Sequence, residues 1–126
     1  WGHDGNLTRV QTHVPLIIHW PGYTAKRYGH TTTHYDIFAT LLKRVFKLKN
    51  PMRDFSEGQD LFSSQSRYPM IISRYMHHAI VQQDRAIHLL RAGIYSVYND
   101  HAKLLEHAKV SMLILAKGYR LMHRFD

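Results

Sequence analysis

Trp1-Gly2-His3-Asp4-Gly5-Asn6-Leu7-Thr8-Arg9-Val10-Gln11-Thr12-His13 runs straight into Val14-Pro15-Leu16-Ile17-Ile18-His19-Trp20-Pro21-Gly22. A polar, glycine-bearing loop with a histidine leads into a short apolar run, and a Pro-Gly turn stops it. Val14 to Trp20 has the length of one buried strand and is too short for a helix of ordinary size. Pro15 stands near its start, where a missing N–H is tolerated. The pattern predicts a loop of polar and basic side chains delivered to the end of a buried strand, which is where ligands bind in α/β enzymes.

The same residues resemble the last active-site segment of the alkaline-phosphatase/sulfatase superfamily. There a His-Gly or Lys-Gly loop precedes a Val-Pro-Leu-Ile strand that ends in Pro-Gly. The matching positions are Gly2-His3, then Gln11 to Ile17, then Trp20-Pro21-Gly22. Two later segments fit the same template as the helix and turn that follow that strand. They are His34-Tyr35-Asp36-Ile37-Phe38-Ala39-Thr40-Leu41-Leu42 and Glu57-Gly58-Gln59-Asp60-Leu61-Phe62. Within the superfamily the pattern is most similar to the YejM-type (PbgA-type) sulfatase-like proteins of the Gram-negative inner membrane. Residues 1–62 carry this resemblance, and from 63 onward it is weaker and positional.

The resemblance implies a role for one residue of this loop. The His or Lys of this loop contacts the transferred phosphate or sulfate group, so His3 takes the catalytic position. A cation or imidazole donor there stabilises charge developing on the group's oxygens. Asp4, Asn6 and Arg9 sit in the same loop and are the candidate substrate-binding residues, Asp4 by pinning His3 and Arg9 by meeting an anion. Such loop residues also commonly satisfy local backbone groups, which is the competing reading. The nucleophile and the Asp-His pair that hold a divalent metal in this superfamily are not among these residues. No HExxH, P-loop or GxSxG pattern replaces them. The chain opens on Trp in the middle of a motif, so it is expected to be the C-terminal piece of a longer protein. It is then inactive alone, with no metal of its own.

The 126 residues are one domain's worth of chain. With no cysteine there is neither a disulfide framework nor a thiolate metal site. No apolar run reaches the length of a membrane span. A net charge of +8, with 11 histidines able to add more in acid, favours anionic partners. Lys26, Arg27, Lys43, Arg44, Lys47 and Lys49 concentrate that charge in one stretch, which suits anionic lipid or lipopolysaccharide near a membrane surface. No nucleic-acid-binding motif accompanies the charge, so nucleic acid is not an expected partner. His77-His78 is an adjacent pair whose side chains diverge on a strand, a poor metal pair. His30 and His34 are separated by a loop–helix boundary, which argues against zinc there.

Further along, Thr33 and Asp36 have capping-box spacing and predict a helix from Thr33 to about Lys47. Its apolar stripe is Ile37, Phe38, Leu41, Leu42, Val45 and Phe46, and Asn50-Pro51 ends it. Pro69–Tyr75, Ala79–Gln83, Ala86–Arg91 and Ile94–Tyr98 read as strands, with turns at Asp84-Arg85 and Gly93. Lys103 to about Arg124 reads as one long amphipathic helix.

The expected fold class is α/β. Residues 1–62 form the C-terminal segment of a sulfatase-like domain, a core strand plus a helix. Residues 63–126 form a small antiparallel sheet with a long C-terminal helix. The expected function is that of part of a phosphate- or sulfate-ester hydrolase or transferase at the periplasmic face of the inner membrane. The alternative is a lipid- or lipopolysaccharide-sensing regulatory domain on the same scaffold. The expected partner is the rest of the parent chain, and without it the piece is expected to self-associate through open strand and helix surfaces.

Overall fold

The computed structural model describes residues 7–65, 68–74, 77–90 and 93–123. The chain divides into two compact units. One joins the N-terminal residues up to His19 with Tyr68 onward, and the other is Trp20–Arg67.

The first unit is built on a four-stranded antiparallel meander, β1 (Met70–Arg74), β2 (His77–Val81), β3 (Arg85–Leu89) and β4 (Tyr95–Asn99), in that spatial order. Three of the four strands follow apolar, β-branched runs that suit a half-buried pleated surface. The β2–β3 turn falls one residue earlier than the sequence predicts. Gln82 N–H donates to the Arg85 carbonyl at 2.8 Å, so Gln83 and Asp84 make the turn. The β3–β4 connection uses Gly93 at φ +75°, a left-handed conformation that glycine adopts without steric penalty.

Strand alternation gives the sheet two different faces. One carries Ile71, Ile80, Ile87, Leu89 and Val97, which form the core together with α3 (Met112–Met122). Ser111 caps this helix, its hydroxyl accepting from Leu113 N–H at 3.2 Å. Gly118 rests against Ile80; a β-carbon there would stand 2.2 Å from Ile80 Cδ1. The missing side chain is what lets the helix backbone approach the sheet.

The long C-terminal helix is therefore half its expected length. Residues 103–110 instead run back beside β4. Leu104 bridges to Tyr98, and Leu105 N–H donates to Val97 O at 2.8 Å. Ala102 and His107 have left-handed φ values of 61° and 59°, which a continuous helix cannot contain. The side chains of Leu105, Ala108 and Val110 still reach the core. The apolar spacing was real, but here it serves an edge-covering segment.

Residues 7–19 belong to this unit. Leu7 and Thr8 are buried, and α1 (Arg9–Thr12) is a single helical turn. The predicted core strand Val14–Trp20 makes no ladder in this chain, and Ile17 is 93% exposed. A strand needs neighbours, and among the described residues none pairs with this one.

The second unit is organised by α2 (His34–Arg44). Its start is as predicted: Thr33 is the N-cap, and its N–H donates to Asp36 Oδ2 at 2.6 Å. The burial is not as predicted. Asp36, Ala39 and Thr40 face inward, whereas Phe38, Leu41, Val45 and Phe46 are exposed. The polar row wins because it is bonded. Asp36 Oδ1 accepts from Gln59 N–H at 2.6 Å, and Thr40 Oγ accepts from Leu61 N–H at 2.8 Å. One turn on, Arg44 Nε donates to both Asp60 carboxylate oxygens at 2.9 Å. Residues 36, 40 and 44 lie four apart, on one helix face. They pin the turn Ser56–Leu61 along the helix.

Candidate functional site

The residues singled out by sequence are placed unevenly. His3, Asp4 and Asn6 lie outside the described residues. Arg9 sits on the single turn α1 and donates from Nη1 to Asp100 Oδ2 at 3.4 Å. Both side chains of that pair are solvent-accessible, so it contributes about 0–1 kcal/mol and can be exchanged for another anion. His13 and His19 are exposed, so neither has to find a buried partner. His30 Nε2–H donates to the Leu61 carbonyl at 2.9 Å, which ties the loop before α2 to the turn that follows it.

In the second unit the basic stretch is split. Lys26, Arg27, Lys43, Lys47 and Lys49 are exposed. Arg44 is withdrawn: it pairs with Asp60, with Nη2 to Oδ2 at 2.7 Å, and donates to the Tyr23 hydroxyl. Its guanidinium also lies over Phe62, 4.6 Å from the ring centroid. Burial pushes the Asp60 carboxyl up. The hydrogen bonds from Arg44 and Phe62 N–H, with the guanidinium charge, outweigh this and hold it below the usual carboxylate range. The bond to Asp60 in turn raises Arg44. Trp20 and Phe62 meet edge to face at 5.5 Å, so the Pro-Gly turn is anchored through the aromatic residue before it.

A second group of chemistry-bearing residues comes together on the sheet face away from α3. Arg74 pairs with His77 across β1–β2, and Ala79 pairs with His88 across β2–β3. Paired residues share a face, so Arg74, His77 and His88 stand on one side at one end of the sheet. Tyr98 joins them from β4, its ring 4.6 Å from the His88 imidazole. With Leu7 they line a cavity of about 240 Å³.

Within it, His88 Nε2 is buried and has no hydrogen-bond partner among the described residues. A buried polar atom left unpaired costs about 1–3 kcal/mol. Desolvation, then the charges of Arg74 and His77, hold the His88 imidazole below its ordinary value. It is therefore neutral at physiological pH, with one ring nitrogen able to donate. The sequence did not reveal this cluster, because the four side chains come from four strands. A turn at Asp84-Arg85 would have set His88 opposite Val81 instead of Ala79, two residues further from His77. The correct hairpin register was the missing signal.

Among the described residues no group of three or more His, Cys, Asp or Glu could hold a metal ion. None of their helices is long and apolar enough to cross a membrane.

No family model matches the chain. It is similar to the inner membrane protein YejM of Salmonella typhimurium, 31% identical over 113 residues, covering 89% of this chain and 19% of the relative. YejM of Salmonella typhi gives the same figures. An uncharacterized protein of Haemophilus influenzae is 28% identical over 92 residues, 72% of this chain and 16% of that protein. The chain thus spans about a fifth of the length of the curated relatives it matches. Across those 113 residues, covering α2, its docked turn and most of the sheet unit, the chain is a relative of the YejM inner membrane proteins.

Proposed function

We propose that this chain is the C-terminal part of a membrane-anchored sulfatase-like protein at the periplasmic face of a Gram-negative inner membrane. The whole protein hydrolyses or transfers a phosphate or sulfate ester. The observation that carries the reading is the apolar surface left open in each unit. Ile17 is 93% and Phe38 57% exposed, on the segment and the helix that the superfamily template places inside its catalytic domain. The YejM similarity over this stretch, and the small share of YejM that it covers, support the same reading.

In this proposal the chain supplies His3 to contact the transferred group, with Asp4 orienting it and Asn6 and Arg9 meeting the anion. The described residues do not offer a donor set for the divalent metal of such an enzyme. The metal would be held elsewhere in the parent. The test is turnover of phosphate and sulfate monoesters by the longer protein with added divalent cations, before and after His3→Ala. Turnover that falls at least tenfold in the variant supports the reading. Unchanged turnover removes His3 from the site, and no turnover on either ester class contradicts the hydrolase reading.

The second reading is lipid or lipopolysaccharide sensing on the same scaffold. The five exposed bases Lys26, Arg27, Lys43, Lys47 and Lys49 favour it. Near an anionic membrane each contributes about 1 kcal/mol. Co-sedimentation with anionic vesicles should weaken as salt rises and as these residues are changed to Gln. Binding indifferent to both lipid charge and salt contradicts this reading.

A further inference from the structure

Strand β4 is covered along only part of its free edge. Asn99 N–H donates to the Lys103 carbonyl at 3.0 Å and Leu105 N–H to the Val97 carbonyl at 2.8 Å, so residues 97 and 99 turn backbone groups away from β3. The direction alternates along an antiparallel strand, which puts the Tyr95 N–H and carbonyl on the same outer edge. The bond from Leu90 N–H to the Ile94 carbonyl, at 2.8 Å, fixes the same phase from the hairpin end. Continued in this register, the covering segment would bring residue 107 opposite Tyr95. It leaves instead. Ala108 N–H turns back to the Leu105 carbonyl at 3.3 Å, and His107 takes a left-handed φ of 59°. Among the described residues no strand pairs with Tyr95 on this side. The departure opens a groove of about 680 Å³, with Tyr95, Ser96 and Val97 on one wall and Leu105, Ala108 and Lys109 on the other.

An edge of this kind accepts an added strand. A residue set opposite Tyr95 would exchange two hydrogen bonds with it and share its face of the sheet. That is the face on which Val97, Leu105 and Ala108 make the core, so an apolar side chain fits there. The charge around the groove is basic. Lys103, His107 and Lys109 are exposed, and neither lysine makes an ion pair among the described residues. Glu106 is the one acid among the described residues that line the groove. This charge complements an acidic segment. It does not suit the chain's own open stretch Val14–Ile18, which carries no acid and is flanked by His13 and His19. A second copy is therefore the poorer fit. The groove also differs from the apolar surface at Ile17 and Phe38. Lysine and glutamate are depleted from interfaces, so a rim of Lys109 and Glu106 suits a partner that comes and goes.

We propose that the groove beside Tyr95 docks an extended acidic segment of a partner protein. The segment adds to β4 as a short strand and seats one apolar side chain against Leu105 and Ala108. The site lies within the sheet unit, and the proposal does not depend on the hydrolase reading.

Amide NMR on the 126-residue chain tests it, at a concentration where light scattering finds the chain monomeric. The probe is the peptide acetyl-Asp-Glu-Asp-Val-Asp-Glu-amide. The expected result is saturable shifts at Tyr95, Ser96 and Val97. N-methylation of the probe's valine removes the N–H that would bond the Tyr95 carbonyl, and should weaken binding about tenfold. Replacing the probe's acids by lysine should also weaken it about tenfold. Lys109→Glu, at an exposed position, should weaken binding about threefold and leave the rest of the spectrum unchanged. The longer protein should bind the probe with about the same affinity. Shifts that never saturate would overturn the proposal, as would equal binding of the N-methylated or the basic peptide. Loss of binding in the longer protein would show the groove covered by its own chain, and overturn it too. The same Tyr95 shifts on concentrating the chain without peptide would make the occupant a second copy, again against the proposal.

Discussion

Gly58 lies so close to Tyr35 that a β-carbon on it would stand 2.2 Å from the Tyr35 carbonyl oxygen and 2.8 Å from the Ala39 β-carbon. The turn Ser56–Leu61 can lie flat on α2 only because this position has no side chain. Ser56 Oγ, accepting from Gly58 N–H at 2.9 Å, holds the glycine there from the other side.

Gly58→Ala should therefore destabilise the second unit by about 2–3 kcal/mol, the upper range for overpacking, since the obstructing atoms are helix backbone. Gly29→Ala, where nothing lies within 4 Å of the added carbon, should change stability by less than about 0.5 kcal/mol. Thermal unfolding of the two variants side by side checks this. Equal melting temperatures would show that the turn is not docked as described.

Asp60→Asn should cost about 1–3 kcal/mol at neutral pH, because it leaves the Arg44 guanidinium without its charge partner. The pH dependence follows from the depressed carboxyl of Asp60. Above the ordinary value of 3.8 the carboxyl is ionised in both states and the stabilisation is complete. As pH falls, the unfolded state takes up the proton first, and the stabilisation is lost through the folded-state value. The gap between wild type and variant should thus close towards acid. Urea unfolding from pH 7 to pH 3 measures it, and a gap that is constant over that range contradicts the assignment.

What the sequence made legible is what is encoded locally. The Thr33–Asp36 capping box and the four strands each need only a few consecutive residues, and all are present; the turn over Glu57–Phe62 was expected from the family resemblance instead. Periodicity misled wherever a distant partner decides the outcome. The spacing of Leu104, Ala108 and Met112 suits a helix, yet hydrogen bonds to β4 hold residues 104–105 extended. On α2 the apolar row looked like the buried one. Asp36, Thr40 and Arg44 bury the opposite face because each finds a partner more than fifteen residues away in the chain. The His88 cluster depends on strand register, which one residue at a turn controls.

The exposed apolar side chains should make the isolated chain associate. At roughly 25 cal/mol per Å² of apolar surface, a few hundred Å² in new contacts would supply several kcal/mol. Light scattering after size exclusion should show a concentration-dependent mass that falls towards the monomer in Ile17→Asp and in Phe46→Asp. A wild-type chain that stays monomeric at high micromolar concentration contradicts the prediction.

The central claim is that Val14–Ile18 and the open face of α2 are covered in the longer protein of which this chain is proposed to be a part. Hydrogen exchange compared between the 126-residue chain at low concentration and that longer protein tests it directly. The account predicts fast exchange at residues 16–18 in the chain alone, where no ladder protects their amides. It predicts slowing by at least a hundredfold in the longer protein, where strands on both edges would pair them. Equal, fast exchange at residues 16–18 in both would contradict the account.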